Sequence, residues 1–152
     1  MSNKASFWSI INALDWSNEG KDEQVLDPAV QLLSNHTESF ILNFFDWFSE
    51  QLYKLDGPKY ADAFSSGKNF SADLFLYARC AVLANGKDYY ERIFAMPNLF
   101  PTDLFFEALL NLPFQAYELK MGQPLQQRPK FIYETGFNVS NWGERAVQLF
   151  SV

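Results

Sequence analysis

The chain has 152 residues, enough for one domain that buries roughly two-thirds of its unfolded surface. Almost half of it is hydrophobic, with 16 phenylalanines, seven tyrosines and four tryptophans, so a core can form without disulfides or metals. The net charge of −6 lies entirely in the first third: residues 1–50 hold two lysines against eight acids, while the remainder balances ten against ten. That distribution excludes the basic footprint of a nucleic-acid binder and disfavours an anionic membrane surface.

In chain order, Phe7, Ile10, Ile11 and Leu14 form a helical stripe with Ser6 as its cap, and Trp8 and Asp15 share its flank. The turn-rich residues 17–20 end it. Pro28 suggests a short helix over 28–34 capped by Asp27, with residues 21–26 as a separate turn. Thr37 caps the longest predicted helix, which runs to about Leu55 with Ile41, Phe44, Phe45, Phe48 and Leu52 on one face. Asp56-Gly57-Pro58 stops it, and a short helix around Tyr60 and Phe64 leads into the polar loop 65–69.

Residues 71–86 are the centre of the predicted fold. Ser71 is a good N-cap, Asp73 sits at the positive end of the helix dipole, and Gly86 closes the run. From Leu74 to Ala84 the residues are apolar or weakly polar except for Arg79, the pattern of a buried helix, too short to span a membrane. A short helix follows over 87–95. Thr102 is read as the cap of a helix through Leu112, and Pro113 as either a kink or the start of a helix over 114–121 closed by Gly122. Residues 123–130 form a Pro- and Gln-rich connector, 131–135 have strand character, and 146–150 suggest a last helical turn. The expected fold is mainly α: one domain over 1–152, a bundle of about seven helices, with 123–152 as an irregular extension that holds at most one short strand.

Two runs, Phe7-Trp8-x-x-Ile11-x-x-Leu14-Asp15-Trp16 and Phe75-Leu76-Tyr77-Ala78-Arg79-Cys80-Ala81-Val82-Leu83-Ala84-Asn85-Gly86, resemble the bacterial domain-of-unknown-function family 4240. Leu52-Tyr53-Lys54-Leu55-Asp56, Glu107-Ala108-Leu109-Leu110, Ala116-Tyr117-Glu118 and Tyr133-Glu134-Thr135-Gly136 extend the likeness over residues 5–142. The resemblance implies a small, mostly helical bacterial domain, sometimes linked to regulatory modules. It brings no activity and no catalytic residue.

The residues offer little chemistry. Cys80 is the lone cysteine, inside an apolar helix, and His36 is the lone histidine, in a turn, so neither a multi-cysteine metal site nor a histidine triad can be built. No glycine-rich phosphate loop is present. No cofactor or metal is expected, and the N-terminus carries no secretory signal, so a cytoplasmic protein is expected. Arg79 needs either a carboxylate partner or water, because its guanidinium stays charged. Glu107 is the first candidate partner and Asp15 the second. Trp8, Trp16, Tyr77 and Asn85 are candidates for a pocket or partner surface, and Trp16, Trp47 and Trp142 are expected to be partly exposed. The leading expectation is a non-catalytic protein-interaction or regulatory module with a protein partner. The alternative is an enzyme or sensor that holds an anionic ligand at Arg79 between the central helices.

Overall fold

A computed structural model describes residues 4–145, which form eight α-helices: α1 (Lys4–Asn12), α2 (Asp22–Ser34), α3 (Glu38–Lys54), α4 (Pro58–Ser65), α5 (Ala72–Ala84), α6 (Lys87–Ala95), α7 (Leu112–Met121) and the single turn α8 (Val139–Trp142). Three 3₁₀ turns, at 16–18, 97–99 and 107–111, join them. The centre is the pair expected from hydrophobic pattern. Helix α3 begins where the Phe40 amide donates to Thr37 Oγ1 at 3.1 Å, and α5 where the Leu74 amide donates to Ser71 Oγ at 3.3 Å. The two helices pack together, with Phe44, Phe48, Leu52, Phe75, Val82 and Leu83 all shut off from water. Helix α1 lays Phe7 across Phe44, and α7 closes the opposite side against α2 and α3.

The structure corrects five expectations. Ser6 lies inside α1 and does not cap it. Helix α2 is continuous from Asp22 through Pro28: the proline stands on the exposed face, where water can take up the carbonyl it leaves unpaired, while Val25, Leu26, Ala29, Val30 and Leu33 bury one stripe on both sides of it. No helix starts at Thr102. The Phe106 amide donates to the Tyr77 carbonyl at 3.0 Å, a bond to α5 that pins residues 101–106 as an open segment, and α7 begins at Leu112 with Pro113 in its first turn. Residues 131–135 form no strand, and none occurs among the described residues. The helical turn expected over 146–150 lies outside the described residues. Trp47 and Trp142, expected at the surface, are buried, because Trp47 packs on Trp8 and Trp142 on Phe70.

Candidate functional site

Arg79, midway along α5, is fully buried. Its Nη1 donates to the Leu52 carbonyl in the last turn of α3 and to the Tyr133 carbonyl in the tail, both at 2.9 Å. Its Nη2 donates to Thr135 Oγ1 at 2.9 Å, and Thr135 in turn donates to the Ala72 carbonyl at 2.8 Å. The guanidinium lies 4.8 Å from the Phe75 ring centre, a cation–π contact, while Nε has no acceptor. Burial pulls the proton affinity of the guanidinium down, and the Asp56 carboxylate is the largest of the charges that oppose this.

Asp56, just past the end of α3, is the complementary group. It too is fully buried, and its carboxylate accepts from the Gly136 amide at 3.0 Å, the Asn138 amide at 3.0 Å and Trp142 Nε1 at 2.7 Å. Asn138 Nδ2 donates to the Tyr53 carbonyl at 2.9 Å and Asn141 Nδ2 to the Asp56 carbonyl at 3.2 Å. Residues 133–142 thus satisfy the carboxylate and give the Tyr53 carbonyl, which already accepts the Asp56 amide at 3.1 Å, a second donor. Beyond them Arg145 forms a two-pronged pair with Asp62, at 2.9 and 3.0 Å, which lowers the Asp62 carboxyl below its usual range.

The partners expected for Arg79 are elsewhere. Asp15 caps the turn at 16–18, accepting from the Ser17 amide at 3.1 Å and Asn18 Nδ2 at 2.9 Å; this local geometry claims its carboxylate. Glu107 is exposed on the 107–111 turn, because the helix face that would have turned it inward does not form. It lies near Tyr77, whose hydroxyl is raised by burial first and by Glu107 second. Tyr77 itself is half-buried on α5. Arg79 lines none of the three main concavities, since the tail covers it. Arg79, which the alternative reading of the sequence made an anchor for an anion, holds the tail in this structure.

Trp8 and Asn85 both line a groove of about 760 Å³ between α1, α3 and the start of α6. Trp16 is exposed and packs on Phe106, with ring centres 5.2 Å apart, beside a smaller hollow of about 280 Å³ that Asn85, Leu104 and Phe105 also line. His36 stacks on Phe40 at 3.8 Å, while Cys80 is sealed in the core with its thiol pushed up to about 12 by burial. Among the described residues no three His, Cys, Asp or Glu side chains cluster as metal ligands would. No helix among them is long and apolar enough to cross a membrane.

In the sequence Asp56 stood out only as a helix stop and in a family-like run, Thr135 only in the run Tyr133-Glu134-Thr135-Gly136, and neither they nor Asn138 had a site role. The available signal was small polar residues, Thr135-Gly136 and Asn138, in a tail with no helical period, opposite a lone arginine in an apolar helix.

These features define a helical domain whose two central buried charges are covered by a C-terminal strap. Over residues 1–119 the chain matches the family of proteins of unknown function DUF4240, and it belongs to that family. The match stops before the strap, so the likeness suggested by Tyr133-Glu134-Thr135-Gly136 falls outside it. No curated protein and no solved structure matches the chain.

Proposed function

We propose that this chain is a non-catalytic helical module that binds another protein through the apolar segment formed by the last turn of α6 and the residues after it. The observation behind this reading is a run of large apolar side chains held in water. Phe94, Met96, Leu99, Leu104 and Phe105, each between 41% and 47% exposed, fall within twelve residues, and Trp16 lies beside the last two. Scattered apolar residues are ordinary on a protein surface, but a contiguous group marks an interaction face. The segment is anchored from beneath. Phe100 is buried against Phe64 and Phe75, and the Tyr60 hydroxyl donates to the Phe94 carbonyl at 2.7 Å, so the face presents a fixed shape. Aromatic residues and methionine on a firm backbone are the side chains that dominate protein interfaces.

The test is photocrosslinking from position 105 in the cells that make the protein, with position 23, on the acidic exposed face of α2, as control. One discrete adduct from position 105, lost with Met96→Asp and Leu99→Asp, supports the reading. Equal adducts from both positions, or none from 105, overturn it.

A further inference from the structure

The groove between α1, α3 and α6 carries features that the fold alone does not require. Helix α6 opens into it from Gly86, which has no side chain to cap the helix, so the amides of Lys87, Asp88 and Tyr89 have no acceptor within the helix. Those amides form the positive end of the helix dipole, a natural anion seat. A second feature is independent of the first. Gln51 is more than nine-tenths buried on the groove wall; its backbone carbonyl accepts the Tyr90 hydroxyl at 2.6 Å, and its side-chain carboxamide, whose atoms keep a little exposure, hydrogen-bonds to no other residue among the described ones. Buried carboxamides are normally hydrogen-bonded, and this one faces the groove.

Charge and shape point the same way. Lys4, Lys54 and Lys87 line the groove against Asp88 and Glu91, a local positive balance in a chain of net charge −6. Trp8 stands edge-on to Trp47 with ring centres 4.9 Å apart, and Tyr90 packs on Trp8 at 5.7 Å, giving the groove a rigid aromatic base. Its volume falls within the range of about 300–1,000 Å³ typical of small-molecule sites.

The geometry points to a binding site for a small organic monoanion: a carboxylate seated at the first turn of α6, with Lys54 and Lys87 as counter-charges, joined to a planar amide or ring that pairs with the Gln51 carboxamide and rests on Trp8. A carboxylate matches the single net positive charge, whereas Asp88 and Glu91 repel a phosphate dianion. This site shares Phe94 with the apolar face, but its anion seat at residues 87–89 and Gln51 lie outside that face, so either can fail without the other.

The experiment is an amide NMR titration of the full chain with hippurate (N-benzoylglycine), and in parallel with neutral benzamide and with inorganic phosphate. The expected result is saturable hippurate binding with Kd below about 1 mM, with shifts at the amides of residues 87–89 and at the Gln51 side-chain NH₂. Lys54→Gln with Lys87→Gln is expected to weaken it by about tenfold. Gln51→Met is expected to weaken binding while leaving thermal stability unchanged, because the carboxamide ties down no other described residue and methionine keeps the packing of the stem; that readout separates a binding role from a packing one. No saturable shift with hippurate, shifts scattered over the surface, or phosphate or benzamide binding as tightly as hippurate would overturn the assignment.

Discussion

Arg79 and Asp56 grip the same length of tail from two sides. Arg79 donates to the Tyr133 carbonyl at 2.9 Å, and three residues on Asp56 accepts from the Gly136 amide at 3.0 Å. The two opposite charges are both buried and the Asp56 carboxylate supports the charge on Arg79, yet they share no hydrogen bond: Arg79 bonds to the strap and the end of α3, and the Asp56 carboxylate to the strap. A buried charge that keeps several donors or acceptors around it is tolerated; one that loses them is very costly. The strap is therefore part of the core's electrostatics.

Asp56→Ala is expected to cost ~3 kcal/mol, since it leaves two backbone amides and the Trp142 indole without an acceptor and removes the charge facing Arg79. Urea unfolding gives the size, and Trp142 gives the location: its emission shifts to the red as the ring leaves its buried site. A loss under ~0.5 kcal/mol would mean that the strap contributes almost nothing to the fold.

Arg79→Met keeps the apolar stem and removes the guanidinium donors from the Tyr133 carbonyl, Thr135 and the Leu52 carbonyl, which retains only the Leu55 amide at 3.3 Å. The expected destabilisation is again about 3 kcal/mol, and Arg79→Lys recovers only part of it, because a single ammonium does not reproduce the planar fork that spans three acceptors. Full recovery with lysine in a denaturant melt would contradict this account.

How far the sequence could foresee this architecture depended on whether a feature is local. Helices α3 and α5 were legible because their 3.6-residue stripes and caps, Thr37 and Ser71, sit within their own segments. Residues 101–106 were not, because the bond that keeps them open runs to Tyr77, nearly thirty residues away. The strap was illegible for the same reason: its bonds run to residues 53–56, 72 and 79, and no period in residues 131–142 records them. Arg79 announced a buried charge, but not that neutral carbonyls and a hydroxyl would surround it. The groove was half-seen, with Trp8 and Asn85 marked and Gln51 hidden among helix-forming residues.

Cys80 makes the fold sensitive to alkali. Burial pushes its thiol up to about 12, against an ordinary value of 9.0 in an unfolded chain. The unfolded chain therefore loses this proton first, and the stabilisation, complete below pH 9, is lost as pH climbs towards about 12. The Tyr60 and Tyr133 hydroxyls, also raised by burial to about 12 from 10.0, add to the decline above pH 10. The melting temperature is expected to fall steadily above pH 9, with Cys80→Ala flattening the first part of the fall. At neutral pH the native thiol is expected to resist iodoacetamide and to react only on unfolding, as a buried, protonated sulfur should.

Gly86 and Gly122 look alike in sequence, each closing a helix, but they make different demands. Gly122 has φ +73 and ψ 12, the left-handed helical region, which asparagine also visits. Gly86 has φ +99 and ψ 172, a region essentially closed to every residue with a Cβ, and it lets the chain pass from α5 into α6 without an intervening loop. There is room for a methyl group, since a Cβ at Gly86 would meet only Asn12 Oδ1 at 3.5 Å, so the cost is conformational and not steric. Gly86→Ala and Gly86→Asn are both expected to destabilise the fold by about 1–3 kcal/mol. Gly122→Asn is expected to cost well under 1 kcal/mol. Thermal melts of the three variants decide the point: if asparagine rescues position 86 as it does position 122, the turn between α5 and α6 can relax into the left-handed helical region, and α6 does not start where the groove needs it.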